Sequence, residues 1–333
     1  MTMKSVAELA GVSIKTVSRV LNGEGYVAED TRRRVERAAS RVGYVPNRAA
    51  RTMRTGRTGL YGLLAHGLTT SPFAAELMRG IEAGIDAAGG ALLIADSGMQ
   101  GVGRAQRLLA GFQPDAVIFA TAYHRDAAPL FAPGPERTVL VNCFLDGAGL
   151  PGFVPDDEGG GRAQAAHLVA LGHRRVGMIE LGRGMVARDK RRAGVLAVWA
   201  EAGLARTDLL MRDGQDGPPT ARRLVAFEAA MALLDRPDRP TALICSKDQF
   251  AVQAMMAAAR LGLRVPEDLS VIGYDDMRVI SETTRPGLTS VALPYHEMGQ
   301  RAAAVAIGRN VRPDPVPCPL VERGSTAPSP EGA

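Results

Sequence analysis

Residues 6–22 read Val6-Ala-Glu-Leu-Ala-Gly-Val-Ser-Ile-Lys-Thr-Val-Ser-Arg-Val-Leu-Asn22, and they predict two short helices joined by a tight turn. The first helix has an apolar face at helical spacing, formed by Val6, Leu9 and Ala10. Gly11 then permits the left-handed backbone that a sharp helix end needs. The second helix begins after Ser13, whose hydroxyl can cap it, and its buried stripe is formed by Val17, Val20 and Leu21. This layout predicts a helix-turn-helix, whose second helix enters the DNA major groove. The alternative is an ordinary helical hairpin in a core.

The outward face of the second helix carries the residues that could touch DNA. These are Ile14, Lys15, Ser18 and Arg19. An arginine can bind a guanine edge through two hydrogen bonds, so we expect Arg19 to contact bases. Lys15 could reach a base or a phosphate.

The distribution of charge supports a nucleic-acid partner for the N-terminus. Residues 1–57 hold 12 Lys and Arg against 5 Asp and Glu, a net charge of +7. The other 276 residues hold 28 against 30, a net charge of −2. A basic module on a near-neutral body is typical of a DNA-binding domain attached to a second function.

The basic character continues beyond the two helices. A third helix is predicted from Thr31 to Val42, with inward positions Val35, Ala38, Ala39 and Val42 and with arginines at 32, 33, 34, 37 and 41 on its other faces. Residues 48–57 are basic and contain one large apolar residue, Met53. This segment is too short for a stable free helix, but it could fold on DNA and insert Met53 into the minor groove. The alternative is a flexible linker.

From Gly59 onward, short apolar runs alternate with amphipathic stretches. The first series predicts strands at 60–65, 91–95, 116–120 and 139–142, with helices at 74–88 and 104–111. After a break at 147–161, the second series predicts helices at 163–171, 192–202, 221–234 and 250–261, with strands at 176–179, 242–245 and 270–274. This alternation predicts an α/β body with parallel sheets. Two series in tandem predict two lobes, with ligands bound at the carboxyl ends of the strands.

Several classes of function find no support in the sequence. A hydrophobic content of 46% and a charged content of 23% are those of a soluble globular protein. No apolar run reaches the length of a membrane span and the N-terminus lacks a signal-peptide core, so we expect a cytoplasmic protein without membrane contact. No nucleophile with a base, P-loop or dinucleotide motif is visible, so we expect neither catalysis nor a cofactor. Asp156-Asp157-Glu158 could hold a hard cation, but it lacks an EF-hand pattern, and we expect no metal.

The basic N-terminal part of the chain, called the head below, resembles that of the lactose-repressor (LacI/GalR) family of bacterial transcription regulators. The similar segments of the head are Val6-Ala-Glu-Leu-Ala-Gly-Val-Ser13, Thr16-Val-Ser-Arg-Val-Leu-Asn22, Gly43-Tyr-Val-Pro-Asn47 and Ala49-Ala-Arg51. The resemblance extends to about residue 327 through Arg79-Gly-Ile-Glu82, Leu171-Gly-His-Arg174, Gly273-Tyr-Asp-Asp276 and Arg323-Gly-Ser-Thr-Ala327.

The resemblance implies a domain organisation. It gives a three-helix helix-turn-helix head at 1–46, a hinge helix at 47–57, and a body at 58–327 shaped like a periplasmic sugar-binding protein. Its first lobe would comprise about 58–158 and 292–320, and its second about 159–291 and 321–327. We expect residues 328–333 to be disordered. The implied partners are a second copy of the chain, a palindromic DNA operator and a small effector, which is a sugar, sugar acid or sugar phosphate.

The resemblance also assigns candidate contacts. Those to DNA are Ser13, Ile14, Lys15, Thr16, Ser18, Arg19, Asn22, Asn47, Arg48, Ala50, Met53 and Arg54. Met53 stands where the family has a minor-groove leucine. The candidate effector contacts are Phe73, Arg191, Lys247 and Asp275. The expected function is therefore a sugar-responsive repressor. The alternative is a small-molecule-binding protein of the periplasmic type without regulatory DNA binding.

Lys247 departs from the family pattern, which often has asparagine before Asp248. One interpretation is that Lys247 pairs with Asp275 or another carboxylate and that the effector is neutral. The other is that Arg191 and Lys247 together bind an anionic effector. Both remain open on the sequence.

Overall fold

The computed structural model describes residues 2–22, 25–44, 52, 56–68, 74–98, 101–131, 133–134, 137–217 and 222–330. The chain divides into two compact units, Met1–Gly59 and Leu60–Ala333. Helices α1 (Met3–Ala10), α2 (Ile14–Asn22) and α3 (Glu29–Arg41) lie in the described part of the first unit.

The core of the first unit forms where the helical spacing predicts it, with one exception. Val6, Val17 and Val35 are fully buried, and Gly11 ends α1 in the left-handed conformation with a φ of 63°. Leu9 was expected in this core but is 45% exposed. The buried face of α1 is centred on Val6 and Ala10, and Leu9 lies roughly 100° away around the helix.

The third helix begins two residues earlier than predicted, at Glu29. Two acidic residues in the first turn suit the positive end of the helix dipole, and Arg33 Nε donates to Glu29 Oε1 at 3.1 Å. Helix α3 ends at Arg41, and Gly43, two residues later, has a φ of 60°.

The described part of the second unit contains two large sheets with helices on both faces and a small two-stranded ribbon. The first sheet has the order β2-β1-β3-β4-β5 and is parallel throughout. Its strands are β1 (Leu60–His66), β2 (Ala91–Asp96), β3 (Ala116–Asp126), β4 (Arg137–Phe144) and β5 (Gly152–Phe153). The helices are α4 (Ala74–Asp86), α5 (Gly103–Ala110) and, from much later in the chain, α11 (Tyr295–Ala306), which packs beside α4.

The second sheet has the order β13-β12-β11-β10-β6-β7, parallel except for β13. Its strands are β6 (Val176–Glu180), β7 (Leu209–Asp213), β10 (Ala242–Cys245), β11 (Ser270–Asp275), β12 (Thr289–Ala292) and β13 (Leu320–Val321). Helices α6 (Asp157–Ala170) and α7 (Val186–Glu201) cover one face; α8 (Ala226–Leu234) and α9 (Asp248–Arg260) cover the other. The short helix α10 spans Arg278–Ser281. Trp199 of α7 is 2% exposed and donates from Nε1 to the carbonyl oxygen of Ala205 at 2.9 Å.

Three predicted helix starts of the second series are wrong. The helix predicted at 192–202 begins six residues earlier, at Val186. The glycine run at 159–161 lies inside α6, because these glycines bring α6 against its neighbours. A Cβ on Gly161 would overlap the carbonyl oxygen of Arg191 on α7, and one on Gly194 would overlap that of Glu158 on α6. The helix predicted from 221 begins only at Ala226, because β9 (Arg223–Leu224) pairs with β8 (Gln215–Asp216) as an antiparallel ribbon.

Ordered structure continues past Ala327, where the sequence predicts a disordered tail. The backbone N–H of Ser329 donates to the carbonyl oxygen of Leu171 at 2.8 Å, and Ser329 is buried. This hydrogen bond holds residues 328–330 against the end of α6. Residues 331–333 lie outside the described part of the chain.

Candidate functional site

The second helix of the head presents the predicted reading face. Ser13 Oγ accepts a hydrogen bond from the Thr16 backbone N–H at 3.1 Å, which caps α2 as expected. Burial of Val17 and Val20 turns the remaining positions outward. Ile14 is 50% exposed, Lys15 and Arg19 are exposed, and Thr16 and Ser18 are half-buried.

The other predicted DNA contacts stay predictions. Helix α2 ends at Asn22. Asn47, Arg48, Ala50, Met53 and Arg54 lie outside the described residues, so the hinge helix and its apolar wedge stay predictions.

In the second unit, one cavity lies where strands of both sheets end. Three of the four predicted effector residues line it, namely Arg191, Lys247 and Asp275. The first sheet contributes His124 of β3 and Asn142 of β4. Phe73, the fourth predicted residue, lies outside the described residues.

Arg191 lines this cavity and is held by three groups. Its Nε donates to Asp157 Oδ1 at 2.8 Å, and its Nη1 donates to the carbonyl oxygen of Ser246 at 2.7 Å. Its guanidinium carbon lies 3.5 Å from the centroid of the Tyr274 ring. Asp157 also accepts from His124 Nδ1 at 2.7 Å. Burial alone would raise the pKa of Asp157, but Arg191 and His124 outweigh burial and hold this pKa below its usual value. The charge of Arg191 is therefore balanced by a protein carboxylate.

Lys247 is the residue just before α9, and its ammonium group faces the cavity without a carboxylate partner among the described residues. Its Nζ lies 5.5 Å from the centroid of the Tyr123 ring, a cation–π distance. Burial lowers the pKa of Lys247, and the charge of Asp275 opposes this shift in part. The direct pairing with a carboxylate, one of the two interpretations of Lys247, is thus not formed among the described residues.

Asp275 ends β11 with an unusual backbone and an unpaired oxygen. Its φ is 112°, a strained conformation of the kind that clusters at functional sites. Its Oδ2 is buried and accepts no hydrogen bond from the described residues. Burial raises the pKa of Asp275 to about 6, although Arg191 and Lys247 oppose this shift. A hydroxyl donor from a ligand would satisfy this oxygen.

Asp248 is a second buried carboxylate close enough to Asp275 for their charges to interact. Its Oδ1 accepts from Ser290 Oγ at 2.5 Å and its Oδ2 from the Met277 backbone N–H at 2.7 Å. Burial, followed by the charge of Asp275, raises the pKa of Asp248 to about 8.

Among the cavity residues that sequence reasoning missed are His124 and Asp157. Asp157 belongs to the acidic triplet that was weighed as a cation site. In the structure Asp156 Oδ1 instead accepts from the Gly159 N–H at 2.9 Å as the cap of α6, and Asp157 pairs with Arg191. A buried arginine requires a counter-charge, and this requirement was the signal that could have drawn attention to the triplet.

Comparison with known proteins agrees with this architecture. Residues 2–47 match the bacterial regulatory proteins of the lacI family, and residues 165–326 match the periplasmic binding protein-like domain. The sucrose operon repressor of Escherichia coli is 33% identical over 98% of this chain and 99% of its own length. No helix in the described part of the chain has the length and apolar character needed to cross a membrane.

Among the solved structures that span both units are two with named ligands. The lac repressor dimer bound to operator and the anti-inducer ONPF has a TM-score of 0.73 at 27% identity, covering 98% of this chain and 99% of that one. The complex of the transcriptional regulator CelR with cellobiose has a TM-score of 0.62 at 30% identity and the same coverage. The match of residues 2–47 to regulatory proteins argues against the alternative, a small-molecule-binding protein of the periplasmic type that does not bind regulatory DNA. The chain therefore belongs to the LacI family of bacterial transcription regulators.

Proposed function

We propose that the chain is a homodimeric repressor whose affinity for a palindromic operator is changed by a sugar bound in the cavity of the second unit. One observation carries the proposal. The same chain has an exposed, capped recognition helix and a buried polar cavity containing Arg191, Lys247 and Asp275. The proposed organisation is a head at 1–46, a hinge at 47–57 and a two-lobed body at 58–327. This role takes place in the cytoplasm and needs no catalysis.

The charges of the cavity favour a neutral sugar over an anionic one. Arg191 is already balanced by Asp157, so it offers hydrogen bonds rather than an uncompensated charge. Asp275 Oδ2 needs a donor and would repel a ligand carboxylate or phosphate. A sugar hydroxyl could donate to Asp275 while another accepts from Lys247. The relatives support this inference, because one is named for sucrose and another is bound to cellobiose, both neutral.

The DNA-binding half of the proposal is tested by selection. The full chain is mixed with duplex fragments of its own genome, and the retained fragments are sequenced. We expect a palindromic site whose affinity falls linearly with salt on a double-logarithmic plot. Retention of no duplex, or of all duplexes equally, would contradict the proposal.

The effector half uses the selected operator. Sucrose, cellobiose, ribose, gluconate and glucose 6-phosphate are added to the complex, and operator release or tightening is followed by fluorescence anisotropy. A neutral sugar should act at the lowest concentration. A stronger response to gluconate or glucose 6-phosphate that disappears in Lys247→Asn would instead establish the anionic interpretation.

A further inference from the structure

One contact in the cavity joins the two sheets. His124 lies on β3 of the first sheet, whereas Asp157 begins α6, which is anchored to the second sheet. The anchor is Gln164, whose Nε2 donates to the carbonyl oxygens of Cys245 at 3.1 Å and Gly273 at 2.7 Å. His124 Nδ1 lies 2.7 Å from Asp157 Oδ2, and the two side chains are 3% and 0% exposed. Because an ionised carboxylate only accepts hydrogen bonds, Nδ1 is the donor.

Both ends of this contact are fixed by further contacts. The His124 ring meets the Phe144 ring of β4 edge-on, with centroids 5.9 Å apart and planes at 90°. Asp157 binds Arg191, and Arg191 continues to Ser246 at the end of β10. A series of contacts thus runs from β3 and β4 to the strand ends of the second sheet. Its hydrogen-bonded members, His124, Asp157, Arg191 and Ser246, are buried, where hydrogen bonds are strong and unpaired groups are costly.

The role of His124 follows from what Asp157 would lose without it. Asp157 would keep Arg191 as its partner but would have an unpaired buried oxygen facing the first sheet. The carboxylate would then be free to rotate, and the Arg191 guanidinium bound to it would move as well. We propose that His124 is a positioning residue, which holds Asp157 and through it Arg191 in the orientation that binds the effector. A residue of the first sheet thereby sets the orientation of Arg191, although most of the site belongs to the second sheet. Only the reference to an effector rests on the proposed function.

The test needs neither effector nor DNA, so its outcome is independent of the proposed function. Hydrogen–deuterium exchange of the full chain is compared for wild type, His124→Leu and His124→Asn. Leucine has a similar volume but no donor, whereas the asparagine Nδ2 can take the place of the histidine Nδ1. In His124→Leu we expect exchange to accelerate roughly tenfold in segments 157–162 and 188–194, while β10 stays protected. His124→Asn should restore protection in both segments.

Three results would overturn the proposal. The first is a change confined to β3 and β4, which would mean that His124 acts only within its own sheet. The second is an asparagine variant that behaves like the leucine variant, since the donor would then be irrelevant. The third is equal acceleration in β10 and in 188–194, which would indicate general destabilisation of the second sheet.

Discussion

Replacing Gly161 by alanine should separate α6 from α7. A Cβ at this position would overlap the Arg191 carbonyl oxygen and lie 2.9 Å from its carbonyl carbon and Cα. Carbon atoms in favourable contact are about 3.5–4.0 Å apart, so the helices must part by more than roughly half an ångström. The added Cβ would meet only backbone atoms of α7, so no flexible side chain can move aside to make room.

The expected cost follows from two opposing contributions. Alanine stabilises a helix by about 0.5–1 kcal/mol relative to glycine, whereas overpacking a tight contact costs about 1–3 kcal/mol. Because the clash is with backbone, we take the upper end of the overpacking range and expect a net loss of about 2 kcal/mol. The displaced α7 also carries the Arg191 guanidinium away from Ser246, so effector binding should weaken.

Urea-induced unfolding followed by far-ultraviolet circular dichroism measures this loss. Gly103→Ala is the matched control, because Gly103 also lies in a helix and its added Cβ would meet nothing closer than Arg107 Nη1 at 3.5 Å. The control should be unchanged or slightly stabilised. A Gly161→Ala protein as stable as the control would refute the argument that this glycine is required by the helix crossing.

Three further predictions concern DNA and effector. Arg19→Ala should bind random and operator duplexes with nearly equal affinity in a competition assay, losing about 1–3 kcal/mol of discrimination, and retained discrimination would remove Arg19 from base readout. Met53→Gly should lose operator bending in a gel assay whereas Met53→Leu should keep it, and equal bending by both would exclude the wedge. With the Asp275 pKa near 6, ionisation on raising the pH through this value creates the acceptor for a sugar hydroxyl. Calorimetry should therefore show tighter binding of the neutral sugar at pH 7.5 than at pH 5, and Asp275→Asn should abolish the difference.

Local patterns were sufficient to predict the head and most of the strands. The helix-turn-helix depends on spacing within about twenty residues, and only Leu9 was misplaced, because a small core cannot bury every apolar position of an amphipathic helix. The glycine run of α6 was misread because glycine normally weakens helices. Glycine is required at 161 because α6 passes close to the Arg191 carbonyl group, which lies thirty residues later in the chain. No local pattern contains this contact.

The candidate site was predictable only in part for a similar reason. The resemblance assigned Arg191 and Asp275, and Lys247 was added because it departs from the family pattern. The strand-end rule accounts for Lys247, which follows β10, and for Asp275, which ends β11, whereas Arg191 lies within α7. The pairing of His124 with Asp157 depends on how two separate sheets meet across a cavity. Long-range placement of this kind is decided by the packing of whole layers and is not present in either segment alone.

Trp199 gives the protein a built-in optical probe. It is the sole tryptophan of the chain, it is buried, and it lies on α7 eight residues beyond Arg191. Its emission therefore arises from one helix, the helix that carries the central cation of the cavity. A shift of α7 on sugar binding would alter the surroundings of the indole ring. Intrinsic fluorescence can thus follow the proposed sugar-binding step in real time without a label.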